Sequence, residues 1–184
     1  MIVSFTPADG KTSDRETVDF IYRQFYRFML TAAGRVLPYD GQEAEDAVHA
    51  AMIKIIKNVS VIDVSDPKRL RNLCCIIARN CALDRLRKRE GKNVSLSDIQ
   101  WDAEDTEPPP DQTAESGDAL GAILRAIGSL PERYRYPCIL KYVYEYKNKE
   151  IAALLGIPEM TVGTRVRRGK MLLHDALRKE GYHE

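Results

Sequence analysis

The residues able to bind a metal or attack a substrate are few and scattered. The cysteines are Cys74, Cys75, Cys81 and Cys138, and the histidines are His49, His174 and His183. Cys74 and Cys81 lie seven residues apart, on one face of a helix, with Cys75 beside them. That trio would suit a thiol-based metal or redox sensor, but it has no CxxC pair and no histidine at ligand spacing. Packing in a helical core is the commoner use of such thiols. Gly10-Lys11-Thr12 ends like a phosphate-binding loop, yet Phe5 stands where the leading glycine belongs and no strand precedes it. HExxH and GxSxG do not occur. The sequence reads as no enzyme, and no catalytic residue, metal or cofactor is expected.

Phosphate binding is the chemistry the residue types do support. The overall net charge is only +1, from 28 Lys+Arg and 27 Asp+Glu in 184 residues, but the charge is segregated. Residues 68–92 hold Lys68, Arg69, Arg71, Arg79, Arg85, Arg87, Lys88, Arg89 and Lys92 against Asp84 and Glu90, a net +7. Residues 93–124 hold eight acids and no Lys or Arg, a net −8. Residues 161–179 hold six basic side chains against Asp175, a net +5. Two basic blocks flanking an acidic one suit a protein that grips a polyanion at two places.

The elements that must position these blocks read as helices. Ser13 and Glu16 form a capping box, followed by Val18, Ile21, Tyr22, Phe25, Met29 and Ala32 at helical spacing, closed by Gly34 and Pro38. A second helix runs from about Gln42 to Asn58. It buries Ala44, Ala47, Val48, Ala51, Met52, Ile55 and Ile56, with Glu43, Glu45 and Asp46 at its positive N-terminus. A third starts at Asp66-Pro67 and runs to about Glu90, with Leu70, Leu73, Cys74, Ile77 and Cys81 as its buried stripe. Pro108-Pro109-Pro110 and the acids around it break this pattern, so residues 92–116 read as a flexible linker. The predicted fold is all-α: a three-helix domain over residues 1–91, the acidic linker, and a second helical domain over residues 117–184.

The second domain ends in a helix-turn-helix pattern. Leu120, Ile123, Leu124 and Ile127 give a helix, Ser129 and Glu132 a second capping box, and Pro137 a break or kink. In Glu150-Ile151-Ala152-Ala153-Leu154-Leu155-Gly156-Ile157-Pro158, Ala152 suits a close helix crossing and Gly156 a turn with positive φ. Ile157 would plug that turn, and Pro158 would open the next helix. On that helix Val162, Val166 and Leu173 point inward, while Thr161, Thr164, Arg165 and Arg168 face a DNA groove. Arg167 and Lys170 are placed to reach phosphates.

Taken together, the chain resembles the extracytoplasmic-function (ECF) sigma factors of bacterial RNA polymerase, over about residues 15–90 and 118–180. Ala44-Glu45-Asp46-Ala47-Val48-His49 and the run from Ile77 to Lys88 resemble sigma region 2. Ser129-Leu130-Pro131-Glu132-Arg133-Tyr134-Arg135, Glu150-Ile151-Ala152 and Thr161-Val162-Gly163-Thr164-Arg165 resemble region 4. The resemblance implies a promoter-specificity subunit. Asp46, His49, Ile53 and Lys54 would dock on the clamp helices of the largest polymerase subunit, and the second domain on the flap. Asn80 and Asp84, with the loop before the third helix, would contact an unpaired −10 base. Arg85, Arg87 and Lys88 would hold phosphates. Thr161, Thr164, Arg165 and Arg168 would read the −35 element. The acidic linker would thread the RNA-exit region, and an anti-sigma factor is an implied partner. His49, Met52, Gly163 and Lys147 stand where the family usually has Gln, Phe, a basic residue and Ser; Asn148 could replace the missing cap.

Between Tyr39 and Trp101 there is no Phe, Tyr or Trp. The DNA-facing part of the first domain is therefore expected to lack a stacking platform, giving weak melting and strict dependence on promoter sequence. A stand-alone helix-turn-helix regulator remains the alternative, and would bind duplex DNA by itself as a dimer. The cysteine pattern, the start Met1-Ile2-Val3-Ser4-Phe5 and the lack of a long apolar run lead to the expectation of a cytoplasmic protein without membrane insertion.

Overall fold

The structure is a computed structural model that describes residues 13–37, 40–90 and 118–179. Most of the acidic block, the Pro108–Pro110 run and Gly10-Lys11-Thr12 lie outside the described residues, as does Pro38. Every regular element among the described residues is helical. The chain separates into two compact units. The first carries α1 (Asp14–Gly34), α2 (Gly41–Lys57) and α3 (Pro67–Glu90). The second carries α4 (Asp118–Ser129), α5 (Glu132–Cys138), most of α6 (Asn148–Leu155), and α7 (Glu159–Lys179).

The first unit forms where the sequence patterns converge. At the start of α1 the Glu16 N–H donates to Ser13 Oγ, and the Glu16 carboxylate accepts the Ser13 N–H, closing the expected box. Asp66 caps α3 by accepting the N–H groups of Lys68 and Arg69 at 2.8 and 3.1 Å, with Pro67 at the first helical position. Ile21, Phe25 and Met29 of α1 are buried, as are Val48 and Ile55 of α2 and Leu70, Leu73, Cys74 and Ile77 of α3. Ala44, Ala47 and Ala51 add little bulk on the buried side of α2, which lets neighbouring helices approach.

Two residues assigned to that core lie outside it. Tyr22 is 46% exposed and Ile56 is 50% exposed. Thr17 takes the inner position on α1 that a purely apolar reading gave away.

In the second unit Ala126, Ile127, Leu130, Tyr134, Cys138 and Leu173 form the core, joined by Ile139, Val143, Ala176 and Leu177. The expected capping box at Ser129 is not formed. Pro131, with ψ 138°, is the N-cap of α5, so the helix starts two residues later than that box requires. Ser129 instead donates to the Ala126 carbonyl and closes α4. Pro137 lies inside α5 without ending it. The chain continues as a π-turn over Ile139–Val143, with the Tyr144 N–H donating to the Ile139 carbonyl. It then turns at Glu145, whose φ is +62°.

α7 packs on α5 through Gly169. A Cβ there would lie 2.3 Å from Cys138 Sγ and 3.5 Å from Tyr134 Cβ. Only a residue without a side chain fits this crossing.

Candidate nucleic-acid interface

The exposed side of α2 carries Asp46, His49, Ile53 and Ile56 at three- and four-residue spacing, so they share one face. Ile53 is 53% exposed, and Lys54 is half-buried beside it. Two large aliphatic side chains left in water on one helix face are an unusual expense for a small domain and mark a contact surface.

The basic end of α3 is tied to the acidic start of α2. Arg85 donates through Nε to Glu43 and through a terminal nitrogen to Asp46, each at 2.5 Å. These two carboxylates, Glu43 first, hold the guanidinium charged, raising its pKa further. Arg89 lies 3.9 Å from Asp40, and Arg87 pairs with Asp84 at 3.3 Å on its own helix. Lys88 is exposed and makes no ion pair among the described residues. Asp84, Arg85 and Arg87 are half-buried, and Asn80 is buried at 7% exposure. The structure thus groups Asp84, Arg85, Arg87 and Lys88 at one helix end. It also joins Asp46, assigned to polymerase, to Arg85, assigned to DNA. Glu43, which shares the Arg85 guanidinium with Asp46, shows in the sequence only as a favourable charge at a helix N-terminus.

One aromatic ring from another helix does reach the third helix. Phe28 of α1 is 45% exposed, and the guanidinium of Arg71 on α3 lies over its ring, 5.3 Å from the centroid. A ring of α1 is therefore capped by a cation near the start of α3, a helix with no aromatic residue of its own. Sequence spacing could not reveal this, because the two residues belong to different helices.

In the second unit, Gly156 adopts φ +70°, ψ +37°, the left-handed turn expected between α6 and α7. Its N–H donates to the Ala152 carbonyl at 2.8 Å. The α6 cap differs from expectation: Lys147 has no acceptor, and the Glu150 carboxylate instead receives the Lys147 N–H at 2.7 Å. Asn148 is already the first helical residue, so it cannot act as the cap. Ile157 is half-buried, a shallower plug than the sequence implied.

α7 has two opposite stripes. Val162, Val166, Gly169 and Leu173 are buried. Thr164, Arg167 and Arg168 are exposed, Met160 is 83% exposed, and Thr161 and Arg165 are half-buried. Thr161, Thr164, Arg165 and Arg168 line one shallow concavity together with Met160 and with Arg133 and Tyr134 of α5. Arg133 stacks over Tyr134 at 4.8 Å. On the other flank Arg167, Gly163 and Glu159 line a second concavity with Asn148 of α6. Lys170 is exposed one turn further on. Of the predicted residues, Thr161, Thr164, Arg165 and Arg168 thus share one concavity, Arg167 lies on the opposite flank, and Lys170 lines neither of the two. Arg133 and Met160 are the members that sequence reasoning missed.

Burial dominates the surroundings of the cysteines, although Cys81 also meets the Lys54 ammonium and Cys75 lies near Arg71 and Arg35. Cys74, Cys81 and Cys138 are buried and Cys75 is half-buried, all as free thiols. Burial pushes the Cys75 and Cys138 thiols up to about 11, and those of Cys74 and Cys81 upward too. Thiols held protonated are poor nucleophiles and poor metal ligands. No group of three metal-ligating side chains occurs among the described residues, and none of the described helices is long and apolar enough to cross a membrane.

Comparison with known proteins adds a family. Residues 21–91 match the family described as Sigma-70 region 2, and residues 120–173 match Sigma-70, region 4. The ECF RNA polymerase sigma factor SigW of Bacillus subtilis is 31% identical over 177 residues, covering 89% of this chain and 88% of that protein. SigE of Mycolicibacterium smegmatis, also an ECF RNA polymerase sigma factor, is 28% identical over 166 residues, covering 90% of this chain and 60% of its own length. SigM of Mycobacterium tuberculosis is 27% identical over 162 residues, covering 87% and 76%.

Proposed function

We propose how promoter recognition is divided within this chain, which belongs to the ECF family of RNA polymerase sigma factors. It is a promoter-recognition subunit whose partners are core RNA polymerase and promoter DNA. A stand-alone helix-turn-helix regulator is not favoured, because the region 2 match over residues 21–91 has no counterpart in such a protein.

In this reading residues 1–91 grip the core enzyme and the −10 element, and residues 117–184 the −35 element and the flap. The acidic stretch 92–116 connects them. Asp46, His49, Ile53 and Lys54 dock on the clamp helices: Ile53 supplies apolar area, and Asp46 and Lys54 set register by charge. Asp84 contacts an unpaired −10 base, with Asn80 one turn behind it on the same helix and buried at 7% exposure. Arg85, Arg87 and Lys88 hold the DNA backbone. Thr161, Thr164, Arg165 and Arg168 read −35 base edges, with Arg167 and Lys170 on phosphates. The chain performs no catalytic step of its own, needs no cofactor, and works in the cytoplasm. An anti-sigma factor that covers these surfaces is its natural antagonist.

The observation that carries the reading is the order of two DNA-binding regions along one chain, with the polar stripe of α7 turned outward. Run-off transcription with purified core enzyme tests it. Specific transcripts should need both core and this chain, and the chain alone should bind duplex DNA weakly. Tight, dimeric binding to duplex in the absence of core, with no transcript in its presence, would refute it.

A further inference from the structure

The outermost line of α7 is not the one that a charge-based reading selects. Met160, Thr164, Arg167 and Met171 follow one another at spacings of four, three and four. The buried Val162, Val166, Gly169 and Leu173 repeat the same spacings two residues later, which places them on the opposite side of the helix. Met160 is therefore at the centre of the outward face, at the second residue of the helix, and it is 83% exposed. It lines both concavities that flank the helix, with Arg165 and Arg168 on one side and Arg167 on the other. A large apolar side chain so exposed adds nothing to the core. Thr164 Oγ1 donates to the Met160 carbonyl at 3.0 Å, which helps fix the backbone from which the side chain projects.

The N-terminal residues of a recognition helix are those that meet base edges, and the major groove offers one apolar feature, the C5-methyl of thymine. We propose that Met160 determines part of the −35 specificity by packing on a thymine methyl group. The arginines around it bind acceptors and phosphates, and none of them can sense that methyl. Gly163, with only the Asn148 amide near its missing side chain at 3.8 Å, leaves room beside Met160 for the edge of the pair. This inference rests on the −35 role assigned to α7 above.

The test uses holoenzyme reconstituted from core polymerase and the full chain, on the promoter it selects from a randomised DNA library. Each −35 thymine, on either strand, is replaced in turn by deoxyuridine, which removes the methyl and nothing else. One such replacement should weaken promoter occupancy about fourfold, the equivalent of ~0.8 kcal/mol for one buried methyl group. Met160→Ala should lose a similar amount on the thymine promoter and no more on the uracil one, while Met160→Leu should keep most of the discrimination. If wild-type holoenzyme requires the −35 sequence but ignores every replacement, or if Met160→Ala remains as sensitive as wild type, the inference is wrong. If occupancy does not depend on the −35 sequence at all, it is the role of α7 that fails.

Discussion

Single residues in the second unit carry sharp constraints. Gly169 faces Cys138 so closely that Gly169→Ala should destabilise the protein by about 1–3 kcal/mol in chemical denaturation. Pairing it with Cys138→Ala, which removes the sulfur, should recover part of the loss. Glu145 holds a left-handed backbone without being glycine, so Glu145→Gly should gain about 1 kcal/mol in the same assay. The thiols add a pH signature. The folded-state pKa values of Cys75 and Cys138 are raised from 9.0 to about 11, so the protonated form is the one the fold favours. Their contribution is fully present below pH 9.0 and is lost as pH rises towards about 11. Denaturation midpoints should fall over that window, and less so in a Cys75→Ala, Cys138→Ala double variant. Near neutral pH, alkylation of the native protein should be slow and should become fast in denaturant.

Between elements, the junction of α2 and α3 mixes support with function. Arg85 bridges Glu43 and Asp46, so Arg85→Ala should lower stability by about 1 kcal/mol as well as weaken promoter binding. Lys88, exposed and without an ion pair among the described residues, should behave differently. Lys88→Ala should leave stability unchanged and reduce the salt dependence of holoenzyme–promoter binding by about one unit of slope. The sequence disclosed much of this level. Helical periodicity, the Ser13 and Asp66 caps and the left-handed Gly156 each rest on local chemistry, and local chemistry is what a sequence displays. It could not disclose that Arg85 turns to Glu43, or that Phe28 meets Arg71, because those pairs arise from helix packing. The misplaced cap at Ser129 has a different cause. Two readings of the same Ser-x-Pro-Glu run compete, and the extended Pro131 decides between them. On α7 the arginines stand out in the sequence by their charge, whereas Met160 stands out only by its exposure.

At the scale of the whole chain, the segregation of charge outweighs the near-neutral total. The two basic blocks belong to α3 and α7, in different units, while residues 93–124 carry −8. Neutralising those acids to Asn and Gln should slow association with core polymerase at low ionic strength and matter little at high salt, as expected of long-range steering. Stopped-flow mixing at two salt concentrations measures the difference. Removing the acids should leave −35 preference untouched, because the contacts assigned to that preference lie on α7.

The two-sided construction of α7 has a bearing on how such proteins diversify. Since the positions that hold the helix in place and those that meet the promoter fall on opposite sides, the second set can be rewritten without disturbing the first. A lineage carrying several copies of this gene could drift towards new sets of target genes by changing a handful of outward letters, with no folding-defective ancestor along the way.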